Sequence, residues 1–305
     1  MHVTICIVAF RNADEVARCV AALTRQSYAD HDIVICENGG EEAWRALEKA
    51  VAAVRPLDPQ VRCLLAGGNL GYAGGVNHCI RASGDSDGWW IVNPDTEPHP
   101  DALRALVERL ARGDCHAVGG ILHHADGRVQ AYGGRWRPML ARSESIGHGH
   151  ALGEQVDAAA VEARMNYILG ASMLVGRNLV DRVGLMREDY FLYCEEVEWA
   201  LRAGAHGLKL GFAPESLVCH GQGGTTGSAD PIRRRPRLPI YLDERNKINV
   251  VHDTTPLWLV VAIPAALLLL TMRYAARGAW RQWGYALSGW LAGVTGRRGL
   301  PPWMR

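Results

Sequence analysis

A chain of 305 residues has room for one large α/β core or two small ones, and at 48% hydrophobic and 21% charged it has the make-up of a globular protein. The formal net charge of +1 excludes a generally basic nucleic-acid coat, so no nucleic-acid partner is expected. Eight cysteines without a C-x-x-C pair, several inside apolar runs, suit reduced buried thiols in the cytoplasm rather than a disulfide framework or a zinc site.

The chain enters Val3-Thr4-Ile5-Cys6-Ile7-Val8 with no basic leader before it, so no signal peptide is expected. Residues 2–10 read as a buried strand, being short, β-branched and almost continuously apolar. Val16, Cys19, Val20 and Leu23 then recur at helical spacing, and Asn12 with Glu15 predicts a capping box. A second strand, 31–36, ends in Glu37-Asn38-Gly39-Gly40 and leads into a helix through Trp44 and Leu47. A third, 61–65, runs into a Gly-rich segment from Gly67 to Asn77. Alternation of strand and helix over these residues predicts βαβ units and a parallel sheet. The Gly-rich segment matches neither G-x-G-x-x-G nor a Walker loop. Its free amides at a helix start suit an anion; close helix–sheet packing explains the glycines equally well.

Trp89-Trp90-Ile91-Val92 is a buried strand that Asn93-Pro94 stops, because proline cannot donate to a ladder and holds its predecessor extended. Asp95 therefore falls at the carboxyl end of a strand, where α/β sheets place their ligands. Asp95 and Glu97 together suit a hard divalent ion shared with a diphosphate; the alternative is a polar turn before the next helix. A helix is expected over 101–110, a strand over 117–122, and a hairpin at Asp126-Gly127 before a strand at 129–132. Residues 135–162 have weak periodicity and read as a loop or mobile flap near the site. The pairs His123-His124 and His148-x-His150 read as surface residues. A strand follows at 166–175, then Tyr190-Phe191-Leu192-Tyr193-Cys194-Glu195-Glu196-Val197-Glu198, where carboxylates open a helix. The helix dipole favours acids there, and a catalytic base would be held rigidly in the same place. A strand at 208–212 precedes His220, which stands before a Gly-rich run, 221–225.

Five of these blocks, in this order, resemble the inverting glycosyltransferases of family 2 with the GT-A fold, and within them the rhamnosyltransferase-like branch. They are Phe10-Arg11-Asn12; Glu37-Asn38-Gly39; Asn69-x-Gly71-Tyr72-Ala73-x-Gly75-x-Asn77; Asn93-Pro94-Asp95-Thr96; and Phe191 through Arg202, closing on His220. The resemblance implies a mixed, mainly parallel sheet flanked by helices. It implies a donor site of Phe10, Arg11, Glu37, Asn38, Asn69, Gly71, Tyr72, Gly75, Asn77, Asn93 and Asp95, with Glu37 where the family usually has an Asp on the base or ribose. Asp95 and His220 would hold Mg²⁺ or Mn²⁺ against the diphosphate. The family commonly has Glu-Asp at 195–196, and its second residue is the usual base, so Glu196 rather than Glu195 is expected to deprotonate the acceptor. The implied donor is a dTDP- or UDP-sugar, with L-rhamnose resting on the resemblance alone. The acceptor would be a glycan, a lipid-linked sugar or a natural-product aglycone. A catalytically silent domain acting as an assembly partner is the rival reading.

The expected division is a transferase domain at 1–230 and a connector with a helical tail at 231–305. Tyr241 to Asn249 resembles the family's connector helix. Residues 256–272 are apolar, interrupted by Pro264, and are followed by Arg273, Arg277 and Arg281 with Trp280, Trp283 and Trp290. Arginine and tryptophan beside an apolar helix mark an interfacial anchor, which predicts peripheral docking on the cytoplasmic face of a membrane. Packing on the domain or within a homodimer is the alternative.

Overall fold

The computed structural model describes residues 1–55, 60–221, 227 and 230–304. Its centre is a mixed sheet. Strands β1 (Val3–Ala9), β2 (His31–Glu37), β3 (Val61–Leu65) and β4 (Gly88–Val92) are parallel, as βαβ crossovers require. The crossovers are α1 (Ala13–Leu23), α2 (Glu41–Val54) and α3 (Gly71–Ala82). β1 shows why its run is apolar without alternation. Val3, Ile5 and Ile7 face a core shared with α1 and α4 (Ala102–Leu110). Cys6 and Val8 face a second core with α3, α6 (Arg177–Val183) and α7 (Glu195–Ala205). Both faces are covered, so every β1 side chain is removed from water.

Beyond β4 the sheet turns antiparallel through β10 (Ser172–Gly176), which separates β4 from β6 (Ala117–His123). A long β11 (Leu210–His220) lies parallel to β6 and pairs antiparallel with the short β5 (Thr96–Pro98). β7 (Val129–Ala131) folds back on β6 through a turn in which Gly127 has φ +79°. The strand expected at 208–212 thus continues, through an irregularity between Phe212 and Leu217, as far as His220.

Three other expectations need correction. Asn12 is the N-cap residue, but its side chain makes no cap hydrogen bond: Oδ1 accepts from the Phe10 N–H at 3.0 Å, and its amide donates to the Glu15 carboxylate at 2.9 Å. Residues 135–162 are a hairpin, β8 (Gly133–Arg137) and β9 (Arg142–Ile146), leading to α5 (Ala158–Arg164). Trp136, Ile146 and Val161 are buried beneath it, too few anchors for a periodic signal. The strand expected at 166–175 begins only at Ser172, and the residues before it bend so that the Gly170 carbonyl meets the Tyr72 hydroxyl. Residues 222–225 of the Gly-rich run after His220 lie outside the described residues.

After residue 230 come α8 (Arg237–Thr254), α9 (Leu259–Tyr274) and α10 (Trp280–Val294). α10 lies close along α8 because Gly289 and Gly293 admit its backbone: a Cβ on Gly289 would stand 2.3 Å from the Tyr241 carbonyl oxygen. α8 and α9 share a buried cluster with Trp136, Tyr167, Tyr190, Cys194 and Val197. The eight cysteines are all free, six of them buried.

Candidate active site

Register brings the first pair of candidate residues together. β5 pairs with β11 so that Thr96 opposes His220, and Asp95, one residue earlier, accepts the Gly221 N–H at its backbone oxygen. Asp95 Oδ1 and His220 Nε2 then stand 3.3 Å apart, both side chains largely buried. Asn93 Nδ2 lies 3.5 Å from the same nitrogen. Behind the ring, Nδ1 meets Gln130 Oε1 at 2.9 Å. Glu97 does not join them: it is exposed opposite Cys219, and the described residues hold no group of three side chains suited to a metal. One carboxylate and one imidazole nitrogen side by side fit a divalent ion that draws its other ligands from a substrate phosphate.

The second pair opens α7. Glu195 is 2% exposed, and its Oε2 has no hydrogen-bond partner among the described residues. Burial first, then the neighbouring Glu196, pushes its carboxyl well above the usual range, which favours the protonated form. Glu196 is half-buried, and burial pushes its carboxyl up to about 7, with Asp243 adding to the rise and backbone N–H donors opposing it. The third acid, Glu198, forms a two-point pair with Arg202, which also donates to the Val183 and Leu185 carbonyls. Arg202 therefore braces the helix.

Tyr72 stands between the two pairs. Its hydroxyl donates to the Gly170 carbonyl at 2.7 Å. The space beside Gly170 Cα is bounded by that hydroxyl and by Glu196 Cγ, at 3.5 and 3.7 Å. The phenol is driven well up by burial and then by Glu195, Glu196 and Asp95, which places all three acids within its electrostatic reach.

The remaining candidates divide by what their polar atoms do. Glu37 is fully buried: Oε1 accepts from the Arg11 and Gly39 N–H groups at 3.1 and 2.6 Å, and Oε2 has no hydrogen-bond partner among the described residues. Arg11, at φ +55°, is exposed with its guanidinium against the Phe10 ring. Asn38 donates to the Gly71 carbonyl, Asn69 Oδ1 accepts from the Gly71 N–H, and Gly75 packs on Val8. Asn77 is buried and bonded to both backbone polar groups of Met186 and to Glu188. These residues build the turn rather than open onto it. Gly71, at φ +71°, is decisive: a Cβ there would lie 2.1 Å from the Phe191 carbonyl oxygen, to which the Tyr72 N–H donates.

Two contributors carried no sequence signal of their role. Gln130 looks like one polar residue in a short strand. Asn246, within the connector helix, donates through Nδ2 to the Tyr190, Leu192 and Tyr193 carbonyls at 2.8–2.9 Å, and Arg245 adds a bond to Tyr190. Together they hold the loop that presents Glu195 and Glu196.

Comparison with known proteins gives the same direction. The family model described as glycosyl transferase family 2 matches residues 4–161. A protein of Mycobacterium tuberculosis named N-acetylglucosaminyl-diphospho-decaprenol L-rhamnosyltransferase is 28% identical over 244 residues, 72% of this chain and 76% of its own. A low-salt glycan biosynthesis hexosyltransferase of Haloferax volcanii is 26% identical over 59% of this chain and 57% of its own. Among solved structures, a mannosyltransferase of Pyrobaculum calidifontis in complex with GDP-Man and Mn²⁺ superposes with TM-score 0.59 at 15% identity, covering 96% of this chain and 87% of that one. GalNAc-T7 with UDP, GalNAc and Mn²⁺ gives 0.61 at 14% identity over 83% of this chain and 48% of that one. At such identities the likeness establishes the fold, which is the GT-A architecture expected from the sequence.

Proposed function

The chain belongs to glycosyl transferase family 2, in the rhamnosyltransferase-like branch, and on that premise we propose that it is an inverting transferase moving a sugar from a nucleoside diphosphate to a hydroxyl acceptor of cell-envelope glycan synthesis. L-Rhamnose is the sugar we assign, since the Mycobacterium relatives are named L-rhamnosyltransferases, and dTDP or UDP is the carrier we expect from the family resemblance. The observation that carries the reading is the facing of Asp95 and His220 across one end of the sheet, with Glu196 beyond Tyr72.

Asp95 and His220 would hold Mg²⁺ or Mn²⁺, which when bound neutralises charge on the departing diphosphate. Glu37, with one buried oxygen unpartnered among the described residues, supports a donor contact to base or ribose. Glu196, with an ionisation near 7, accepts the proton of the acceptor hydroxyl. The oxygen forms its bond to the anomeric carbon as the carbon–phosphate oxygen bond breaks, and the electron pair leaves on the diphosphate. One displacement inverts the centre. Glu195 is the more deeply buried of the two, and burial favours its protonated form, so the half-buried Glu196 is the better placed base.

The tail suits an acceptor carried on lipid, as in the name of the Mycobacterium relatives. Leu257, Val260, Val261, Pro264, Leu268 and Met272 are exposed at helical spacing, and Arg277 and Arg281 follow. The stretch Pro256–Arg277 is long and apolar enough to cross a membrane by length and composition. We favour docking in the plane of the interface, because the opposite face of α9 is packed on the protein.

The deciding measurement is thermal stabilisation by a panel of sugar nucleotides, each with Mn²⁺ and with EDTA. A ligand at 100 times its dissociation constant adds about 2.7 kcal/mol. The expected result is a metal-dependent shift with a dTDP- or UDP-sugar that disappears in Asp95→Asn. A folded protein that no sugar nucleotide stabilises would overturn the reading.

A further inference from the structure

Gln130 is a buried amide on β7, 6% exposed, and three groups around it leave its side chain one orientation. The atom 2.8 Å from the His220 carbonyl oxygen must be Nε2, because a carbonyl can only accept. Oε1 is then the atom 2.9 Å from His220 Nδ1, and an amide oxygen can only accept as well. The second amide hydrogen goes to His124 Nδ1 at 2.9 Å. Nδ1 of His220 therefore carries a proton, and in the neutral ring Nε2 is left with a bare lone pair. That lone pair faces Asp95 Oδ1 at 3.3 Å, and the nearby Asn93 amide is a donor, compatible with an unprotonated nitrogen.

We propose that Gln130 is a positioning residue: by gripping the backbone and the ring of His220 together, it locks the Nδ1–H tautomer and so keeps the Nε2 lone pair beside Asp95 available to a divalent cation. The proposal rests on the reading of Asp95 and His220 as the cation pair. Without Gln130 the ring is free to carry its proton on Nε2 and share it with Asp95, which closes the pair to a cation. Ligating histidines usually give their second N–H to such a partner, and loss of the partner commonly costs 10–100-fold in metal affinity.

The test uses the full chain labelled with ¹⁵N-histidine in EDTA, with His220→Gln to assign the signal. At a pH where the ring is neutral, wild type should show the Nδ1–H pattern at His220; a neutral Nε2–H pattern overturns the lock. In Gln130→Met the Nε2–H form should appear, and Mn²⁺ affinity in the presence of dTDP or UDP should fall 10–100-fold. Gln130→Glu, which restores an acceptor at Nδ1, should recover the wild-type tautomer and most of the affinity, and Gln130→Leu replaces Gln130→Met if that variant does not fold. If wild type binds Mn²⁺ no better than His220→Gln, the cation pair itself is wrong. If His220 matters but both Gln130 variants keep wild-type tautomer and affinity, the cation pair stands and Gln130 is only packing.

Discussion

The two edges of the site are built in opposite ways. The Asp95–His220 edge follows from strand register: β5 pairs with β11, and the side chains arrive where the ladder puts them. The Glu195–Glu196 edge hangs from a loop in which Phe191, Tyr193 and Cys194 have φ of +68°, +73° and +67°, none of them glycine. Each such residue costs about 1–3 kcal/mol and persists only where surroundings over-determine it. Here the surroundings are Asn246 and Arg245 on α8, some fifty residues further along the chain. An edge set by register can lose a side chain and keep its shape. An edge held under strain from elsewhere ties activity to stability.

The largest effect should come from Glu196→Gln, which removes the base and leaves the loop in place. Turnover should fall roughly 10²–10⁴-fold with sugar-nucleotide affinity unchanged; turnover equal to wild type sinks Glu196 as the base. In wild type, kcat/KM should decline as pH drops below about 7, because the carboxyl must be ionised to work. Stability should move the other way. A carboxyl raised from its ordinary 4.5 to about 7 binds its proton more tightly folded than unfolded. Its contribution is full below about 4.5 and is lost as pH rises through about 7. Glu196→Gln should flatten that slope in denaturant titrations, while the deeper Glu195, with the same sign, keeps part of it.

Gly71 packs against Phe191 on the strained edge, and it sharpens the contrast. Gly71→Ala must displace the Phe191 carbonyl, 2.1 Å from the new Cβ, and so pull on the strained loop. A loss of about 1–3 kcal/mol in denaturant unfolding is expected. kcat should fall more than donor affinity, because the Asp95–His220 register is untouched. Gly67→Ala, with nothing within 4 Å of its Cβ, is the control and should be near neutral. Equal loss of donor binding and kcat in Gly71→Ala would show that the edges are not separable.

This contrast also explains what the sequence revealed. Asp95 and His220 end apolar runs, so strand ends and the family's order of motifs located both. Helical spacing located α1 and α4, and the Gly-rich turn stood out by composition. The strained loop did not, because Phe191, Tyr193 and Cys194 are residue types that propensity never places at positive φ. Asn38 and Asn77 stood as donor-site residues on the resemblance and Asn246 as one residue of a connector helix; only the fold reveals that the first two fasten a turn and the third fastens the loop before the base. The hairpin β8–β9 was hidden for a different reason, since Tyr167 crosses the face of Gly134 and replaces the side chain that would have given alternation.

The smallest expected effect concerns α9, which joins α8 and so sits mechanically closer to the strained edge than to the register edge. Vesicles containing anionic lipid should sediment the wild-type protein. Val260→Asp with Leu268→Asp, both exposed in the structure, should weaken partitioning about tenfold or more by replacing apolar contact with charge. High salt should weaken it further through the arginines beyond α9. Because Arg273 of this helix lies 3.5 Å from Asp243, and Asp243 is one of the acids acting on Glu196, vesicle binding should alter kcat by a small factor and leave Mn²⁺-dependent nucleotide affinity as it was. A wild-type protein that stays in the supernatant at every lipid composition, while sedimenting at twice its mass alone, would assign the apolar face to a second copy of the chain instead.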